Sequence, residues 1–192
     1  MDSQPTNETS NAEDKAFSDL NRFMKLVHDQ DDRAMVLSMG SFIEEALGSL
    51  LLAYFRNCKA TRELVEGFNA PLGTLGARIK AVYAFGLVGE DQFKDMEILR
   101  KVRNLFAHDW EGISLERNDV AALIGQLSGY SFEGVSKDGP PRERLTRTIG
   151  CIATELHIFA GRILLGKQNK AHDVSFRLTT TPPVATYRQR FV

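Results

Sequence analysis

Three features of the chain predict an all-α fold, a single helical bundle with disordered or extended tails. Apolar residues recur at three- and four-residue intervals over several long segments. No alternating apolar/polar run is long enough to make a convincing strand. Glycine, proline and acidic residues fall where those segments stop and start, as helix ends require. The 192 residues suit one domain with tails. The expected division is a disordered segment 1–12, a helical domain 13–166 and a basic extended tail 167–192.

Residues 1–12 are polar and carry no apolar period. From Glu13 to His28, the residues Phe17, Leu20, Phe23 and Val27 have helical spacing. Asp31 and Asp32 then offer a cap for a helix over about 32–56. Its apolar face is Met35, Met39, Phe42, Ile43, Ala46, Leu47, Leu50 and Tyr54. Beside that face run Ser38, Ser41, Glu45 and Ser49, a strip of small polar residues around one carboxylate. The strip suits close approach of another helix; alternatively Glu45 pairs with a buried cation, for which Arg103 is the candidate. Residues 57–72 read as irregular, with a short helical piece near Arg62–Glu66. Leu75, Ile79, Val82 and Tyr83 predict a helix over about 74–86, stopped by Gly86 and Gly89. Glu90 and Asp91 open the next one with the charge a helix N-terminus favours. Asn118 or Asp119 caps a short helix to about Leu127, residues 128–141 form a loop, and a long helix spans about 142–165.

Charge and composition narrow the function classes. Hydrophobic residues make up 43% and charged residues 26%, values of a soluble globular chain. No apolar run approaches a membrane span and no signal pattern opens the chain, so a cytoplasmic location without membrane contact is expected. The net charge of −1 argues against a general polyanion binder. It is unevenly spread: residues 137–192 carry ten Lys/Arg against four Asp/Glu, and residues 1–136 fourteen against twenty-one. Cys58 and Cys151 read as reduced structural thiols, and the spacing of the four histidines calls for no metal. Nothing calls for a cofactor.

The polar residues cluster in Arg103-Asn104-Leu105-Phe106-Ala107-His108-Asp109-Trp110. Helical geometry puts Glu97, Lys101, Asn104 and His108 on one stripe, with Leu99, Val102 and Phe106 opposite. Arg103 and His108 are about 140° apart around the axis, so one straight helix does not face them together. Arg, Asn and His suit metal-independent RNA cleavage, and equally a helix end held by an ion pair. A DNA-reading helix-turn-helix at Val120–Leu127 fails, because the second helix would hold two glycines, an acid and no Lys or Arg.

The segment Asp32–Trp110, about two-fifths of the chain, resembles the mannitol operon repressor family. The resemblance is carried by Ser41-Phe42-Ile43-Glu44-Glu45-Ala46-Leu47, by Phe68-Asn69-Ala70-Pro71-Leu72-Gly73-Thr74-Leu75-Gly76-Ala77-Arg78-Ile79, and by Ile98 through His108. It implies an all-helical transcriptional regulator that represses through a partner regulatory protein, with weak or indirect DNA binding of its own. Arg103-Asn104-x-x-x-His108 is also similar to the Arg-x-x-x-x-His motif of HEPN domains. That second resemblance implies an alternative function, a metal-independent ribonuclease with Arg103, Asn104 and His108 as catalytic residues, RNA as substrate and two protomers forming the site. In the regulator reading there are no catalytic residues. Glu45, Arg103, Asn104, His108 and Asp109 are then an interaction or structural cluster. A homo-oligomer is expected in either case, from the serine strip together with Ile98 and Leu105, which lie off the core stripe.

Overall fold

The computed structural model describes residues 18, 20–109, 111–129 and 138–168. The segment 1–12, most of the tail 167–192, Trp110 and the stretch 130–137 lie outside them. The described residues are helical with no strand. A helix α1 over residues 20–28 leads into α2 (Asp32–Tyr54), α3 (Lys59–Val65), α4 (Leu75–Ala84), α5 (Glu90–His108), α6 (Asn118–Gly125) and α7 (Pro141–Gln168).

The bundle is built around α2, which packs on α3, α4, α5 and, most extensively, α7. Its length and hydropathy would also suit a membrane span. Here, however, Met39, Ile43, Leu47, Leu50 and Leu51 are sealed in the core with Ile79, Leu99, Val102, Phe106, Ile149 and Ile152. Such burial is worth about 1.5–3 kcal/mol for each large side chain, and it holds the elements together. Leu99, Val102 and Phe106 occupy the core side of α5 as their spacing predicts. Ile98, expected at an intermolecular face, is instead buried within the chain because α5 meets α2 and α4 as well as α6 and α7. Tyr54 departs in the other direction: at the last residue of α2 it is 42% exposed.

The caps divide the work between adjacent residues. Asp31 caps α2, its Oδ1 accepting from the Ala34 N–H at 2.8 Å. Asp32 points elsewhere: its carboxylate accepts from the Leu115 N–H at 2.9 Å and from Arg142 Nη1 at 2.8 Å. Arg142 also donates to the carbonyls of Val27, His28 and Gln30, so one guanidinium ties the end of α1 and the start of α2 to α7. Gly86 takes φ 69° after α4, and the Leu87 N–H reaches back to the Val82 carbonyl at 2.9 Å, a closing geometry that needs a left-handed residue.

Two glycines inside α2 let arginines cross it. A Cβ at Gly48 would lie 2.7 Å from Arg78 Nη1, and one at Gly40 would lie 3.0 Å from Arg103 Cγ. Arg78 uses the space to donate to the carbonyls of Leu72 (2.8 Å), Glu44 (2.6 Å) and Val65 (2.8 Å), joining α4 to α2, to the last residue of α3 and to the connection between α3 and α4.

Candidate functional site

The α5 C-terminus carries the polar cluster. Its last carbonyls are held by Arg33 of α2, which donates to the backbone oxygens of Phe106 and Asp109. A cation is favoured at this end of a helix dipole. Arg117 then forks between two carboxylates, with Nη1 on Asp109 and with Nε and Nη2 on Asp119 at 2.7 and 3.0 Å. The Arg117 hydrogen bonds hold the Asp109 and Asp119 carboxyls below the usual carboxylate range and push the guanidinium up. Asn104, Leu105, His108, Asp109, Glu111 and Arg117 line an open groove of about 490 Å³.

Arg103 is absent from that groove. It leaves α5 on the side that meets α2, with its stem across Gly40 and its Nε buried without a hydrogen-bond partner among the described residues. His108 is exposed at the helix end. One chain therefore gathers Asn104, His108 and Asp109 in one groove and keeps Arg103 apart, as the helical angle between them requires. Glu45 lies on the exposed side of α2 and forms no ion pair with Arg103. On the same α5 stripe, Glu97 is engaged by Arg100, with Nη2 to Oε2 at 2.7 Å.

Sequence reasoning missed three groups. Arg33 and Arg117 were not singled out, and nothing in their spacing reveals that they clamp the α5 end. Asp95, fully buried on α5, accepts from the Ser128 N–H at 2.8 Å and the Ser128 hydroxyl at 2.6 Å. Burial pushes its carboxyl above the usual range, and the two Ser128 hydrogen bonds oppose that shift. Asp95 gives no signal of its burial in the sequence, because its partner is 33 residues away.

His157 donates from Nδ1 to the Ala153 carbonyl at 2.8 Å and stacks on Phe42 with centroids 5.5 Å apart, so the half-buried ring is engaged in packing α7 against α2. Among the described residues no three His, Cys, Asp or Glu side chains gather as metal ligands. Of the helix-turn-helix window, α6 ends at Gly125, and Ser128 and Gly129 are not helical; residues 130–134 lie outside the described chain. The outward residues of α6 are Asn118, Asp119, Ala122 and Gly125, none of them a cation for a DNA groove.

The class defined by these features is an all-α bundle with a polar, clamped α5 terminus and no groove-reading helix among the described residues. The sequence profile of the mannitol repressor family, MtlR, matches residues 21–143. The chain belongs to that family. It is 26% identical over 100 residues to a mannitol operon repressor of Escherichia coli strain K12, covering 50% of this chain and 51% of the relative. The same figures hold for the mannitol operon repressor of Escherichia coli O6:H1 strain CFT073. The chain thus spans about half the length of the curated relatives it matches. Its fold is similar to that in an X-ray structure of the MtlR–HPr complex from Escherichia coli, with a TM-score of 0.52 and 19% identity over 76% of this chain and 97% of that one.

Proposed function

We propose that this protein is a transcriptional regulator of the mannitol operon repressor type that works through protein–protein contact, with an HPr-like protein as its partner. The observation that carries the reading is the family match over residues 21–143. The complex of a structurally similar protein with HPr supports the mode of action. So does the surface: Tyr54 and Phe85 are 42% and 46% exposed and meet Phe55 in a cluster with ring centroids 5.4–5.8 Å apart. Phe68, between α3 and α4, is 99% exposed. Exposed aromatic groups of this kind are characteristic of protein-binding surfaces rather than of phosphate-binding ones.

The test has two arms. Titration of the purified chain with purified Escherichia coli HPr, followed by calorimetry, is expected to give saturable binding. Mobility shift on mannitol-operon promoter DNA with the chain alone is expected to show only weak binding that fades with added salt and does not distinguish scrambled sequence. Salt-resistant, sequence-specific DNA binding by the chain alone, with no heat on HPr addition, would refute the proposal.

A further inference from the structure

A groove of about 390 Å³ runs between the end of α2, the start of α3 and the last turns of α7. Its apolar wall is Leu52 and Ala53 of α2, Phe55 just beyond that helix, and Leu164 of α7. Leu52 and Phe55 are half-buried, and Leu164 is 51% exposed. Phe55 also packs against Tyr54 and Phe85, so the wall continues into the exposed aromatic cluster. A continuous apolar surface of this kind marks a place where another segment or protein docks.

The position of the groove selects its occupant. The polypeptide leaves α7 at Gln168, four residues past Leu164 and about 6 Å farther along the axis. Beyond it the sequence reaches Val174-Ser175-Phe176-Arg177-Leu178, where apolar and polar residues alternate. In extended form Val174, Phe176 and Leu178 share one side, and Ser175 and Arg177 the other. The six residues from Gln168 to Val174 span at most about 20 Å, enough to turn back over Leu164. Glu66 lies at the groove rim, exposed and with no ion pair among the described residues, and it offers Arg177 a counter-charge. A short tether also holds the segment near the groove at roughly millimolar effective concentration. A diffusing partner or a second copy has no such advantage.

We propose that residues 174–178 of the chain's own tail dock in extended form in this groove, with Val174, Phe176 and Leu178 against its apolar wall. The docked segment covers Leu164 and borders the aromatic cluster on its Phe55 side. The inference does not depend on the regulatory reading or on HPr, because its readout needs no partner. Cys58 lines the same groove, whereas Cys151 is buried, so one thiol reports on whether the groove is covered. The test is the rate at which a chromogenic aromatic disulfide reacts with Cys58 in the native full chain, with circular dichroism to verify folding. A segment docked about 90% of the time slows the reaction about tenfold, since only the open fraction reacts. Phe176→Ser combined with Leu178→Ser is expected to raise the rate by that factor. Leu164→Ser, an exposed position on the groove side, is expected to raise it as well. Equal rates in the parent and the folded tail variant would overturn the proposal and leave the groove to a partner. So would a Leu164→Ser variant that is faster while the tail variant is not. A parent rate that falls as the chain is concentrated would assign the groove to a second copy, and would overturn it too.

Discussion

Replacing Gly48 with alanine tests whether the arginine slots hold the bundle together. The added methyl lies 2.7 Å from Arg78 Nη1 and 3.0 Å from its Cζ, too close to stay. Arg78 is not a free side-chain end that swings aside without loss, because its nitrogens are committed to the Leu72, Glu44 and Val65 carbonyls at 2.6–2.8 Å. Hydrogen bonds from a charged donor are worth roughly 1.5 kcal/mol each at the low end. Removing glycine from a helix interior returns about 1 kcal/mol. The balance is a destabilisation of about 3 kcal/mol, which for a chain of this size lowers Tm by about 6–12 °C. The sharper reading comes from a cycle followed by urea unfolding and far-UV circular dichroism. In an Arg78→Ala background the obstruction is gone, so Gly48→Ala should become stabilising by about 0.5–1 kcal/mol. Gly48→Ala that stabilises the parent, or that has the same sign in both backgrounds, would refute the account.

Two further outcomes concern the titrating groups. The Asp95 carboxyl is raised by burial, so its ionisation opposes folding at neutral pH, and this opposition fades as pH falls through the folded-state value toward the unfolded one. The unfolding free energy of the parent relative to Asp95→Asn should therefore rise on going from pH 7 to acid; a difference that stays flat with pH would show that Asp95 ionises as freely folded as unfolded. Asp109 is lowered by its Arg117 hydrogen bond, so its contribution is present above the unfolded value and is lost as pH falls through the folded one. Arg117→Ala should bring the Asp109 carboxyl back toward the ordinary range in an NMR titration, and an unchanged midpoint would mean that the fork is not populated in solution.

The helices were legible because their signals are local. Asp31 caps α2, Glu90 and Asp91 open α5, and the apolar periods of α2, α4, α5 and α7 mark the sides that end up buried. What is not local was harder to read. Gly40 and Gly48 look like interruptions of an apolar helix, and only the fold shows that Arg103 and Arg78 fill the space they leave. The alternative pairing of Glu45 with Arg103 assumed that nearby opposite charges on packed helices would meet; the helix rotation that buries Gly40 turns Glu45 outward. The angle between Arg103 and His108, by contrast, follows from position along a single helix, and the structure keeps the two side chains apart as that angle requires.

The tie between Asp32 and Arg142 has a consequence for how the protein is made. These partners are 110 residues apart, and the helix that packs most extensively on α2 is the last of the described bundle to leave the ribosome. Until α7 emerges, the apolar side of α2 that it will cover stays open, and the Asp32 carboxylate lacks one of its two partners. Contacts so distant along the chain form slowly, and an uncovered apolar helix is a surface that chaperones bind and that neighbouring nascent chains adhere to. Assembly of the bundle is thus timed by translation of its final helix rather than by collapse of its first.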